Sequence, residues 1–315
     1  MLEFKEVYLN QYYTLIGPLE RRELKNANGS INDYYYGEST VEKCEIKMQN
    51  TVLNELTKEK KPDLVVGGEL SNQVATTNMA MKERGIPFFG LYSACSTSVE
   101  GLIILANFIS SKAIKDGVMI TSSHNLNAEK QFRFPIEYGS PKPIRSTFTA
   151  TAAVGMWVSN QPSKVKIING TIGNVIDSGT KDVHNVGAVM APSAVDTLVK
   201  HLSNTKTTLK DYDLILTGDL GKVGVSIFKE LLQKEYALKI TNHLDAGSML
   251  YKNIEYSGAS GPAALPLILL TGILPIKKYR KILLLATGAL YSQLLVNQKN
   301  TLISVTHALT LEVLP

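Results

Sequence analysis

Cys44 and Cys95 are the two cysteines of the chain, and Cys95 sits where a thiol can do chemistry. It lies in IPFFGLYSACSTSVEGL, residues 86–102. A strand-like run ends there, small residues make a tight turn, and a helix begins. A thiol at a helix N-terminus meets partial positive charge, which favours thiolate and lowers the pKa. The same amide donors also receive a carboxylate. Cys95 is read as a nucleophile, as the floor of an anion site, or as a small residue packed at a strand–helix junction, since free cysteine is often buried for packing alone. Cys44 is read as helix packing.

Three further segments carry polar residues past strand ends, where ligands of parallel sheets tend to lie. ITSSHNLNAEKQFRFPIEYGSPKPIRS, residues 120–146, delivers His124 and then Arg133, Tyr138, Lys142 and Arg145. An imidazole there can donate to, or titrate against, a bound anion; the other reading is a solvated loop histidine. GGELSNQVATTNMA, residues 67–80, offers Glu69, Asn72 and Gln73, either to a ligand or to cap the next helix. TGDLGKVGVSI, residues 217–227, includes Asp219. Its glycines lack the Gly-Lys-Ser/Thr ending of a P-loop and the spacing of a Rossmann turn, so a nucleotide site is not expected.

Other chemistries are excluded by pattern. His184, His201, His243 and His307 form no pair at metal-ligand spacing, so no metal is expected. No Gly-x-Ser-x-Gly elbow is present. Two cysteines cannot form a disulfide framework, and a reducing compartment follows. The net charge of +5 comes without a basic arm: KEKK at 58–61 and KKYRK at 277–281 are short, and a nucleic-acid partner is not expected. No signal peptide is read at the N-terminus. The longest apolar stretch, LPLILLTGILP at 265–275, is too short to span a bilayer, which needs roughly 20 residues, and reads as a buried helix.

The elements that position these residues repeat. DLVVGGEL at 63–70 answers DLILTGDL at 213–220, an offset of about 150. YSACS at 92–96 answers YSGAS at 256–260, and GVMITSS at 117–123 answers KILLLATG at 281–288, both at about 164. TFTATAAVGMWVS at 147–159 matches TLISVTHALTLEV at 301–313. Four matches in the same order argue for a duplicated α/β unit, with halves 1–160 and 161–315 fused into one body. Branched runs such as DLVVGG fit buried parallel strands. Residues 99–114 are apolar on most faces and predict a central helix. Residues 41–59 predict an outer amphipathic helix, with 193–205 as its repeat partner.

Such a duplication, with Ala-Cys-Ser-Thr-Ser opening a buried helix, resembles the thiolase fold, a layered α-β-α-β-α body. A narrower resemblance lies in GLYSACSTSVEGL, TSSHNLNAEKQFRFPIEYG, TIGNVIDSG, DVHNVGAVMAPSAVDTL, YDLILTGDLGKVG and ATGALYS. These strings are similar to the stage V sporulation protein AD family. The match runs from about residue 60 to the C-terminus and is weaker before it.

The resemblance implies a binding protein. Members bind dipicolinic acid, a pyridine dicarboxylate, during its uptake into the developing endospore. They act with the SpoVA membrane proteins, peripherally at the forespore or spore inner membrane. At germination the ligand is released together with calcium. No cofactor is implied, and thiolase-fold enzymes are commonly homodimers.

Condensing enzymes of this fold place their nucleophile at the position of Cys95. The initiating type adds a His where Gly218 or Asp219 stands here, and an Asn where Ala259 or Ser260 stands. A thiolate without these partners loses most of its catalytic value, so no catalysis is expected. A dicarboxylate beside Cys95 would use the helix amides, His124 and one of Arg133 or Arg145. Glu69, Asn72, Asp219 and Ser260 would border it. Two departures fall there. Where the family has Gly-Asp-Leu-Leu-Asn-Gln, this chain has Gly68-Glu69-Leu70-Ser71-Asn72-Gln73; where it has Gly-Gly-Ser-Gly-Cys, this chain has Gly258-Ala259-Ser260-Gly261-Pro262. They leave open a changed ligand or a non-binding scaffold of the SpoVA complex, and Cys95 itself leaves open an acyl transferase.

Overall fold

The computed structural model describes residues 2–132, 142–251 and 254–315. Ten strands make its frame. The first half supplies β1 (Tyr8–Ile16), β2 (Leu64–Gly68), β3 (Phe88–Gly90), β4 (Asp116–Ser123) and β5 (Ala152–Ser159). The second supplies β6 (Val165–Thr171), β7 (Leu214–Thr217), β8 (His243–Asp245), β9 (Lys281–Ala289) and β10 (Ile303–Val313). They pair in the order β8-β7-β9-β10-β6-β1-β5-β4-β2-β3.

Outward from the β1–β6 seam, both halves have one order and one set of directions. β2 runs parallel to β3 and β4, while β5 is antiparallel to β4 and to β1. β7 runs parallel to β8 and β9, while β10 is antiparallel to β9 and to β6. At the seam Tyr8 faces Lys166 and Leu9 faces Val165. The parallel strands are covered on both faces, which is why LVVGG and KILLLATGA read as near-continuous apolar runs. Gly67 is required by close approach: a Cβ there would stand 1.7 Å from the carbonyl oxygen of Ile120 on β4.

Helices complete five layers. α1 (Val41–Leu56) covers the outer face of the first half, where Cys44 is fully buried among Met48, Val52 and Trp157. α2 (Thr97–Ser110) packs against β2 and β4 on one side and β9 and β10 on the other. It is apolar nearly all round because both neighbours are sheets. A short helix, α3 (Asn125–Phe132), follows β4. α4 (Val186–Thr205) and α5 (Gly221–Tyr236) cover the outer face of the second half. α6 (Ala264–Ile268) continues through Leu269–Ile273 as the buried apolar stretch.

α4 begins seven residues before the predicted 193–205 span. Pro192 lies inside it, where a proline removes one ladder donor and ordinarily marks a boundary. The Asn185 side chain caps the true start by accepting from the Ala188 amide at 3.3 Å. Among the described residues no helix is long and apolar enough to cross a membrane.

Candidate functional site

Cys95 lies in a 3-10 turn, Ala94–Ser96, just before α2. Ala94 is left-handed, at φ +49°. Sγ accepts from the Gly261 amide at 3.2 Å, and the same amide donates to Asp219 Oδ2 at 2.9 Å. Asp219 follows β7, also left-handed at φ +66°. Its loop is held by the buried Asp245, which accepts from the amides of Leu220 and Gly221 at 3.1 and 3.0 Å and from Thr217 Oγ1 at 2.8 Å. Ser260 ends a short strand, Gly258–Ser260, paired with Thr147–Thr149. The Thr147 hydroxyl donates to Ser260 Oγ at 2.8 Å. One floor is thus assembled from both halves of the chain.

The electrostatics of this floor overturn the predicted thiolate. Burial, and then the adjacent Asp219 carboxylate, hold the Cys95 thiol well above its usual range. The thiol stays protonated at neutral pH. Burial likewise pushes Asp219 and Asp245 up, and the nearby Asp245 carboxylate adds to the effect on Asp219. Asp219 Oδ1 is buried without a hydrogen-bond partner.

Above the floor opens a cavity of about 370 Å³, within the roughly 300–1,000 Å³ of small-molecule sites. Cys95, Ser260, Gly261, Thr147 and Thr149 form its base. Tyr92, Phe132 and Tyr291 supply aromatic walls, with Phe132 and Tyr291 edge to face at 5.1 Å. Glu129 and Lys142 also line it and form an ion pair, their side chains 17% and 11% exposed. Lys142 Nζ lies 5.3 Å over the Phe148 ring. His184 completes the polar lining.

The residues singled out in the sequence divide. Cys95 and Ser260 line the cavity, and Asp219 lies beneath it at 1% exposure. Asn72 stands behind the wall, accepting from the Tyr92 hydroxyl at 3.1 Å. Glu69 is fully buried and closes its own loop, accepting from Ser71 and from the Thr76 amide at 3.1 Å; this is the capping role. His124 does not reach the cavity. It is 1% exposed, and its Nε2 contacts the Tyr34 carbonyl at 2.9 Å. Burial lowers its pKa, so it is a neutral ring in the interior. Arg145 is drawn outward to Asp182, at 2.7 Å. Arg133 and Tyr138 lie outside the described residues. Among the described residues no cluster of metal-type ligands is present.

The walls were missed because Phe132 and Tyr291 stand in opposite halves, and no local spacing brings them together. Lys142 was visible as one of several basic residues in a polar excursion, with nothing to separate it from solvated surface.

The model of the family described as stage V sporulation protein AD (SpoVAD) matches residues 2–312. A curated relative, stage V sporulation protein AD of Bacillus subtilis (strain 168), is 34% identical and covers 97% of this chain and 94% of its own. Among solved structures, a variant of OleA from Xanthomonas campestris superposes with a TM-score of 0.65 at 12% identity, over 99% of each chain. Cerulenin-bound OleA of that organism gives 0.63 at 13% identity, over 98% of this chain and 99% of its own. The fold is therefore thiolase-like; identity this low carries nothing beyond the fold.

Proposed function

The chain belongs to the stage V sporulation protein AD family, and from that premise we propose that it binds dipicolinic acid in the cavity above Cys95. It does so as a component of the SpoVA system, serving dipicolinate uptake into the developing endospore and its release at germination. It works peripherally at the inner spore membrane, beside the SpoVA membrane proteins. The observation that carries binding over catalysis is the shared Gly261 amide. An acyl-transfer nucleophile needs its proton removed and its pKa lowered. Here burial, and then the Asp219 carboxylate that shares this amide, do the opposite.

The cavity chemistry supports a flat aromatic acid. Tyr92, Phe132 and Tyr291 offer faces and edges to a ring. Lys142 offers a cation, and Ser260 and Thr147 offer hydroxyls. Titration calorimetry with dipicolinate tests the proposal. Saturable binding is expected, lost when the cavity is filled by Thr149→Trp in a protein that keeps its fold by circular dichroism. No heat at millimolar ligand from the wild type would sink it.

A second reading is favoured by one observation: the Cys95 side chain is part-exposed and faces the cavity. That reading is an acyl transferase, and acylation of Cys95 by an acyl-CoA, seen by mass spectrometry, would establish it.

A further inference from the structure

The geometry points to Glu129 as an internal competitor for the cation that a carboxylate ligand would use, and we propose that ligand and Glu129 exchange places on Lys142. This deepens the binding function proposed above and rests on it. Both side chains line the cavity and pair with each other there. At 17% and 11% exposure they are largely withdrawn from water, so their attraction is screened far less than that of a surface pair.

Lys142 is fixed from below as well, its ammonium 5.3 Å over the face of Phe148. Phe148 is itself stacked on Tyr256, with ring centres 6.3 Å apart. The ammonium therefore has a second support when its carboxylate partner leaves. Glu129 lies on α3, whose Ala128, Glu129 and Phe132 form the face turned to the cavity.

An anion entering the cavity meets a lysine already neutralised. It gains Lys142 by displacing Glu129, and it then shares the cavity with a second negative charge. Both effects weaken anion binding. Glu129 thus sets affinity downward and favours release, and it discriminates by charge: a neutral ring of the same shape has no need to displace it. Aromatic carboxylates are the ligand class on which the exchange acts.

The test compares wild type, Glu129→Gln and Lys142→Met by calorimetry. The probes are dipicolinate, pyridine-2-carboxylate and the uncharged diamide of dipicolinate. Glu129→Gln is expected to tighten both acids on the order of tenfold, and Lys142→Met to weaken both by a similar factor. The diamide is expected to bind all three proteins alike. Glu129→Gln keeps the shape of the side chain, and melting curves show that each variant is folded. Binding of dipicolinate by the wild type that Glu129→Gln leaves unchanged or weakens overturns the exchange alone; Glu129 would then position Lys142. Absence of acid binding by all three proteins overturns the dipicolinate function and the exchange together. Tightening by Glu129→Gln that extends equally to the diamide also overturns it, since charge would not be the cause.

Discussion

Cys95 Sγ and Asp219 Oδ2 take their hydrogen bonds from one backbone N–H, that of Gly261, at 3.2 and 2.9 Å. The thiol comes from the first half of the chain, the other two residues from the second. The pair therefore fixes the floor of the cavity and the protonation of the thiol together. A thiol whose pKa is raised is a poor nucleophile.

Reactivity of Cys95 follows from this contact. Below about pH 9 its alkylation by iodoacetamide is expected to lag behind that of an ordinary thiol, whose pKa is about 8.5, and to keep rising with pH beyond it. Asp219→Asn retains an oxygen for the Gly261 amide and removes the charge. Labelling at pH 8 is expected to speed up, because the side chain that helps hold the thiol's pKa up is replaced by a neutral amide. Peptide mass spectrometry separates Cys95 from the buried Cys44, which burial pushes up to about 12. Fast labelling of the wild type at pH 7 would contradict the geometry.

Gly261 itself admits no side chain. Its φ is +113°, and a Cβ would stand 2.6 Å from Ser123 Oγ. Gly261→Ala is expected to cost about 2–4 kcal/mol through strain and overlap, read as a lower midpoint in urea. An unchanged midpoint would mean that the floor is looser than described.

The aromatic walls should act as a pair. Phe132→Ala and Tyr291→Ala each remove one side of an edge-to-face contact at 5.1 Å. Each is expected to weaken dipicolinate binding by about 0.5–1.5 kcal/mol. The double variant is expected to lose less than the sum, because the second loss removes a wall already opened. Full additivity in the calorimetric cycle would show that the two rings do not cooperate.

Stability should fall with rising pH because of one buried carboxyl. Glu45 is buried on α1, accepting from Ser122 Oγ at 2.7 Å and Asn127 Nδ2 at 2.6 Å. Burial, and secondarily Glu69, push its carboxyl up to about 8 from 4.5. Between those values the folded chain holds a proton that the unfolded chain has released. Unfolding is thus favoured as pH climbs through that window, and the loss is complete above about pH 8. Glu45→Gln is expected to remove this slope and to stabilise the protein at pH 9 by on the order of 2 kcal/mol. Parallel melting-temperature profiles for variant and wild type would rule Glu45 out as the cause.

The sheet was legible in the sequence because its evidence is local and doubled. DLVVGGEL and DLILTGDL are strands whose apolar runs survive in both halves, and they became β2 and β7. The site was legible only where the chain itself makes it, at the Cys95 turn and at Ser260. The thiolate expected from the helix terminus failed because the thiol is buried and because Asp219 arrives beside it from the other half. His124 was misplaced by one step of strand alternation. Ser123 donates to the Ala150 carbonyl beside the floor, so the next residue turns the opposite way, toward Tyr34. Lys142 was indistinguishable from its basic neighbours until Phe148 and Glu129 were placed around it.

The β1–β6 seam joins the two halves by a short run of strand pairing, and the cavity lies across the division. Cys95 and Phe132 come from one side, and Gly261, Ser260 and Tyr291 from the other. A ligand seated there behaves as mortar between two bricks. Filling the cavity and holding the halves in register become one equilibrium, so ligand raises the unfolding midpoint by mass action.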